Sequence, residues 1–244
     1  MTLNLKSQVL NPLAVFAFPA VCQICNEQRA EPADGFVCAY CLRNVFRTQR
    51  PWCKKCGLPF DGEFTETTAC LNCLDLEWGF DGARSLFASK GLVREVIHRF
   101  KYNGAEFFQP LMNRWIRVFS SDFKESPDWI VPIPLHPLKE RERGFNQAER
   151  LAEAVAEVLG VPMVRDAVQR VKNTETQTHL SRSKRLANMN GAFALRRNQS
   201  LMGTVMLVDD VMTTGATASA GACVLKKSGT SKVNVFTLAR GLPI

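Results

Sequence analysis

The segment Val205-Met206-Leu207-Val208-Asp209-Asp210-Val211-Met212-Thr213-Thr214-Gly215-Ala216-Thr217 concentrates residues that can do chemistry. Its four leading apolar residues suit a buried parallel strand. Two acids follow at the carboxyl end, where ligands bind in open α/β sheets. A turn of threonines and glycine then opens a helix, and its free backbone N–H groups and nearby hydroxyls can hold a phosphate. Gly215 lets the backbone approach such a group closely. Carboxylates beside a phosphate repel it unless they have partners of their own, and vicinal ribose hydroxyls are suitable donors. The spacing therefore separates a sugar end from a phosphate end. Neither G-x-G-x-x-G nor G-x-x-x-x-G-K-[ST] occurs, which argues against a dinucleotide fingerprint and a P-loop.

A second set of residues suits metal chemistry. Eight of the nine cysteines form four C-x-x-C pairs, Cys22/Cys25, Cys38/Cys41, Cys53/Cys56 and Cys70/Cys73, separated by 12, 11 and 13 residues. One such pair offers two sulfurs to a metal at about 2.3 Å, and a second pair completes a tetrahedron. Disulfides belong mainly to secreted chains, and a redox motif needs one pair rather than four. Two zinc sites are the expectation, first pair with second and third with fourth, although spacing alone also permits interleaving. With every position filled by thiolate, no coordination site is open to substrate, so the expected role is structural. About 60 residues make a marginal core, and a structural zinc can add about 10–16 kcal/mol of apparent binding energy. Cys223 stands alone in an apolar helical pattern, where a buried packing role is expected.

These groups need elements to position them. Ala83 to Ser89 reads as a strand, and Leu92, Val93, Val96, Ile97 and Phe100 follow a helical stripe. Trp129 to Ile133 is a short apolar run bounded by prolines. Asn146-x-x-Glu149 has the form of a capping box, opening a helix that carries Leu151, Val155, Val158 and Leu159 and stops at Gly160 and Pro162. After the Thr/Gly turn a helix runs to Ser228, with Gly229 closing it, and Val233 to Leu238 completes a β-α-β unit. Strands alternating with amphipathic helices predict an α/β protein with a mostly parallel sheet flanked by helices. The expected division is a zinc-ribbon domain with an N-terminal packing segment over 1–78, and the α/β domain over 79–244.

Composition sets further bounds. The 244 residues are 46% hydrophobic and 22% charged, and no apolar run reaches the roughly 20 residues that span a bilayer. Leu10 to Val21 is apolar but broken by Asn11, Pro12 and Pro19, with only Lys6 basic before it. It reads as a packing segment rather than a secretory leader, so a cytoplasmic protein without membrane insertion is expected. The formal charge of +8 falls to about +4 if each of two zinc centres carries −2. What remains is uneven. Arg165, Arg170, Lys172, Arg182, Lys184, Arg185, Arg196 and Arg197 face only Asp166 and Glu175 between positions 165 and 197. Such a stretch can meet nucleic acid, a polyphosphate or water.

The motif from Val205 to Thr217 resembles the signature of the type I phosphoribosyltransferases. The resemblance narrows with Pro132-Ile133-Pro134-Leu135 leading to Arg143-Gly144-Phe145-Asn146-Gln147. It narrows further with Arg170…Thr174-x-Thr176-Gln177-x-x-Leu180-Ser181…Arg185…Asn188…Ala192-Phe193 behind the N-terminal C-x-x-C pairs. Together these are similar to the ComF family (ComFC-like and GntX-like proteins), from about Phe18 to the C-terminus. That resemblance implies a type I phosphoribosyltransferase fold preceded by a small ribbon holding structural zinc. It also implies a ligand such as PRPP, with Mg, and a connection to DNA uptake in natural transformation. Asp209 and Asp210 then meet the ribose hydroxyls, and Thr213, Thr214, Gly215, Ala216 and Thr217 hold the 5-phosphate. The loop after Pro134, with Arg141 and Arg143, corresponds to the pyrophosphate-binding region, and Arg170 to Phe193 to a loop that closes over substrate. Asp209, Asp210 and Arg143 are the expected catalytic residues.

If the family's chemistry operates, a phosphoribosyl group passes to an acceptor and pyrophosphate leaves. Relatives that activate a 6-oxopurine carry an acidic base where Thr213 stands, which argues against a hypoxanthine/guanine enzyme and leaves the acceptor open. His98 reads as a surface or core-edge residue, His136 sits beside the pyrophosphate loop, and His179 lies in the closing loop. Lys101-Tyr102 can face the ligand, though Lys101 also suits a helix C-terminus. Two other functions fit the sequence. One is a PRPP- or nucleotide-binding module without turnover. The other is an accessory that handles single-stranded DNA beside a helicase-like competence partner.

Overall fold

The computed structural model describes residues 20–60, 70, 73, 76–118, 126–172, 188–196 and 200–242. The N-terminal packing segment as far as residue 19, His179 and most of the expected closing loop lie outside the described residues.

Six strands are described: β1 (Gly82–Ala88), β2 (Trp129–Pro132), β3 (Val168–Arg170), β4 (Phe193–Leu195), β5 (Thr204–Met212) and β6 (Lys232–Arg240). Four of them form a parallel sheet in the order β1-β6-β5-β2, while β3 and β4 form a separate antiparallel pair. The helices are α1 (Ala39–Leu42), α2 (Gly91–Tyr102), α3 (Gln109–Val118), α4 (Pro137–Arg143), α5 (Gln147–Leu159) and α6 (Ala216–Lys227). This is the α/β architecture with a parallel sheet that the alternation of patterns predicts.

Period-two alternation along β5 divides the core. Val205 and Leu207 join α6, β3 and β4 on one face of the sheet, and Met206 and Val208 join α2, α3 and α5 on the other. The stripe predicted on α2 is buried throughout, at Leu92, Val93, Val96, Ile97 and Phe100. β5 carries the two acids at its carboxyl end, as expected, and runs on beyond them. Its ladder with β6 continues past the apolar run, pairing Asp209 with Thr237, Val211 with Ala239 and Met212 with Arg240. Backbone hydrogen bonding does not depend on side-chain polarity, so the two acids belong to the strand and not to the turn after it.

The ribbon attaches along β1. Thr48 N donates to Leu86 O at 2.9 Å, and Ala88 N to Phe46 O at 2.8 Å, which covers an otherwise open strand edge. From that edge the ribbon reaches both core layers. Cys22, Cys38 and Cys41 pack with α2 and α3, whereas Cys53, Cys56, Cys70 and Cys73 pack with α6 on the opposite face. Cys223 corrects its expectation. It is exposed, because α6 buries Ala218, Ser219, Ala222 and Leu225 and position 223 falls off that face.

The loop after β2 is tied to α5 by one side chain. Asn146 accepts from Ala148 N at 3.0 Å as N-cap, and its Nδ2 donates to Ile133 O at 3.0 Å. The helix closes at Gly160 in the left-handed region, as the capping pattern predicts. Asn146→Ala removes a cap worth about 1 kcal/mol and leaves a buried carbonyl unpaired, at about 1–3 kcal/mol. Thermal unfolding should show Tm lowered by about 4–10 °C, and Asn146→Asp, which keeps the cap oxygen, should recover part of the loss.

Candidate functional site

The expected phosphate loop forms a concavity lined by Asp209, Thr213, Thr214, Gly215, Ala216 and Thr217, with Thr237 behind it. Gly215, with φ +86°, is the N-cap of α6 and offers no side-chain oxygen; Thr214 Oγ1 accepts from Ala216 N at 3.4 Å, and a helix start of this kind suits an anion. Only glycine fits there. A Cβ at position 215 would lie 2.8 Å from both Trp78 Cζ3 and Met212 Cε, and its backbone angle strains any other residue.

Strand alternation separates the two acids. Asp209 faces the loop concavity, while Asp210 is buried towards α2, where Lys101 Nζ lies 2.6 Å from its Oδ2. Burial works against the Lys101 ammonium, but Asp210, with Asp209 beyond it, outweighs this and raises its pKa above the ordinary value. For Asp209, burial and the neighbouring Asp210 raise the carboxyl to about 7, against Lys101, the Asp210 N–H and Arg170, which act to lower it. The Asp210 N–H donates to Asp209 Oδ1 at 2.8 Å.

A cationic group completes the site. Burial lowers the Lys139 pKa, and the like charges of Arg170 and Arg143 lower it further. Arg170, itself lowered by burial, feels the attraction of Asp209. Arg143 donates to Gln147 Oε1 at 2.6 Å and stacks over Tyr102, 4.8 Å from the ring centroid. The structure thus brings Arg143 beside Lys101-Tyr102, and it adds Lys139 and Arg170 as a group that sequence reading did not assemble. Arg141 is exposed. His136 is accounted for locally as the cap of α4, where Nδ1 accepts from Leu138 N at 3.3 Å. His98 is exposed and meets Tyr102 at a tilt, with ring centroids 5.0 Å apart.

The cysteines gather into two groups, Cys22/Cys25/Cys38/Cys41 and Cys53/Cys56/Cys70/Cys73, each with all four sulfurs within 4.8 Å of one another. Sulfur separations are 3.9 Å for Cys22–Cys41, Cys25–Cys38 and Cys53–Cys73, and 3.4 Å for Cys56–Cys70. A tetrahedron with 2.3 Å bonds has edges of about 3.8 Å, so both donor sets fit zinc. Each sulfur group is also closed, which suits a structural ion.

Two further residues support the loop, and sequence reading missed both. Arg240 is fully buried, and its Nη1 donates to Met212 O at 2.7 Å, Gly241 O at 3.1 Å and Thr213 O. Trp78 donates from Nε1 to Cys73 Sγ at 3.3 Å. The one signal for Arg240 was a cation following the apolar run that ends β6.

A parallel sheet ending in Asp-Asp-x-x-Thr-Thr-Gly, joined to two four-cysteine groups, defines a protein of the type I phosphoribosyltransferase fold with a zinc ribbon. A double zinc ribbon domain matches residues 13–74. Competence protein F of Haemophilus influenzae is 30% identical over 85% of this chain and 92% of its own length. The DNA utilization protein YhgH of Salmonella typhimurium is 30% identical over 92% and 98%, and the competence protein ComFC of Bacillus subtilis 28% over 90% and 95%. The chain belongs to the ComF family. Among solved structures, the purine phosphoribosyltransferase of Pyrococcus horikoshii aligns over 55% of this chain and 83% of that one, with 16% identity and a TM-score of 0.35. No helix among the described residues is long and apolar enough to cross a membrane.

The raised Asp209 carboxyl has a signed consequence. Between 3.8 and about 7 the folded chain keeps a proton on Asp209 that the unfolded chain has released, so this group makes stability fall as pH rises through that window and then level off. Asp209→Asn should remove that slope and stabilise the protein at pH 8 by on the order of 2 kcal/mol. Denaturant unfolding of both proteins at pH 5 and pH 8 measures it, and an equal difference at the two values contradicts it.

Proposed function

We propose that the chain binds PRPP between the 213–217 loop and the Lys139/Arg143/Arg170 cluster, and transfers its phosphoribosyl group to an acceptor. The observation that carries this reading is the order of charge in the site. An anion-accepting helix start comes first, then Asp209 in the same concavity, then Arg170, whose field reaches Asp209, with Arg143 and Lys139 near it. A diphosphorylated pentose has the matching order: 5-phosphate, vicinal hydroxyls and pyrophosphate. In the transfer the bond from C1 to the pyrophosphate oxygen breaks, its electron pair leaves with pyrophosphate, and the acceptor bonds to C1. Asp209 accepts from ribose hydroxyls and balances the cationic character at C1, while Asp210, held by Lys101 on the other face, fixes the strand end. Arg143 and its neighbours neutralise the leaving group, and Mg enters as the PRPP complex.

The names of the relatives, competence protein and DNA utilization protein, support a role connected with DNA uptake. Thiolates that must stay reduced favour the cytoplasm. The division into a ribbon unit over 1–78 and a transferase-like unit over 79–244 belongs to the same proposal. Asp209→Asn with Asp210→Asn should abolish the PRPP-dependent rise in Tm, which for a ligand at 100 times its Kd corresponds to about 2.7 kcal/mol, while zinc content stays at the wild-type value. An undiminished rise removes the acids from the ligand site. Pyrophosphate release across a panel of bases and amines distinguishes a transferase from a binding module without turnover.

A second reading, an accessory that handles single-stranded DNA beside a helicase-like partner, draws on the surface where the ribbon meets β1. Lys90 lies 3.9 Å from the Phe46 ring centroid, and Arg84 and Arg50 lie 3.6 and 5.1 Å from that of Trp52. Aromatics interleaved with cations are what stacking on single strands uses. Anisotropy with a labelled single-stranded oligonucleotide should then give binding at about 20 mM salt that weakens steeply towards 200 mM. No binding at the lower salt removes the second reading.

A further inference from the structure

We infer that the second cysteine site, Cys53/Cys56/Cys70/Cys73, is a positioning element for the phosphate loop. Trp78 and Arg240 carry the connection, so that metal on the cysteines and ligand on the loop strengthen each other's hold. The inference rests on the reading of the loop as a PRPP site.

Two side chains from different parts of the chain link the sites, Trp78 by contact with both and Arg240 by contact with the loop and charge beside the cysteines. Trp78 donates its indole N–H to Cys73 Sγ at 3.3 Å, and the same ring closes over Gly215, leaving no room for a Cβ. It is buried and stacked on Phe80, with ring centroids 5.1 Å apart, so the ring cannot move without disturbing that core. Arg240, at the end of β6, holds the loop from below through Met212 O and Thr213 O, and its guanidinium lies within the electrostatic reach of Cys56, Cys70 and Cys73. Met212 is the last residue of β5 and Thr213 the first of the loop. The carbonyls that set the direction of the turn are therefore held by a cation that lies in the field of the second cysteine group.

The first site has a different neighbourhood. Cys22, Cys38 and Cys41 pack with α2 and α3 on the opposite sheet face, where Arg99 donates to Gln23 O. If Trp78 and Arg240 keep their positions only while the second cysteine group is held together, metal there favours the loop geometry that receives phosphate. Binding linkage is reciprocal, so a ligand on the loop must favour retention of that one ion.

The full-length, zinc-loaded chain is challenged with a chromogenic chelator with and without PRPP, and PRPP binding is followed by calorimetry. One of two released zinc ions should leave about fivefold or more slowly with PRPP present. A Cys25→Ser chain, impaired at the first site, should keep the slowed phase. Trp78→Phe preserves an aromatic ring and deletes the N–H to Cys73; Arg240→Lys preserves charge and loses the fork. Each should weaken PRPP binding several-fold and reduce the slowing, with the rate of the other ion unchanged. PRPP that binds yet slows neither ion, or slows both equally, overturns the coupling and leaves the PRPP reading standing. No calorimetric binding of PRPP by the wild-type chain overturns both.

Discussion

The β5–β6 ladder does not stop where the apolar residues stop. It carries Asp209 and Asp210 to the end of a buried parallel strand, and the period of a strand then sends them to opposite faces. One carboxylate meets the loop that starts α6, and the other meets Lys101 on α2. If the strand ended at Val208, both acids would sit in a turn with no fixed relation to either layer. Because the pairing persists to Met212 opposite Arg240, the loop begins from a rigid edge, and its first carbonyls are held by that arginine.

Two adjacent acids at a sheet edge are costly unless their charges are shared out. Here the cost is divided. Asp210 is held against a lysine at 2.6 Å, and Asp209 remains the strained member, with its carboxyl raised to about 7 by burial and by its neighbour. A buried charge that lacks a full partner marks a site prepared for a ligand more often than one built for stability. The Lys139, Arg143 and Arg170 group has the opposite sign, and the two arginines disfavour the charge on Lys139. Such an arrangement favours an anion.

The ribbon is joined to this site as a structural part. It pairs with β1 through residues 46 to 48 and from that edge places one cysteine group in each core layer. Each group substitutes for the hydrophobic core that a segment of this size does not have. The second group lies beside the 213–217 loop, and Trp78 touches both Cys73 and Gly215.

Local patterns in the sequence determined a good deal. The acid pair with its Thr/Gly turn, the four C-x-x-C pairs, the Asn146 cap and the stripe on α2 depend on neighbours within one or two turns of chain, so residue type and spacing are enough to read them. The parallel sheet followed from the alternation of such segments. The tertiary structure alone decided which groups meet from far apart: Lys101 with Asp210, Trp78 with Cys73 and Gly215, and Arg240 with the Met212 and Thr213 carbonyls. It also decided that Asp209 and Asp210 part company and that Cys223 faces outward. Those outcomes depend on strand register and on which helix face turns inward. Both are set by the packing of elements far apart in the chain, and no local pattern of residue types records them.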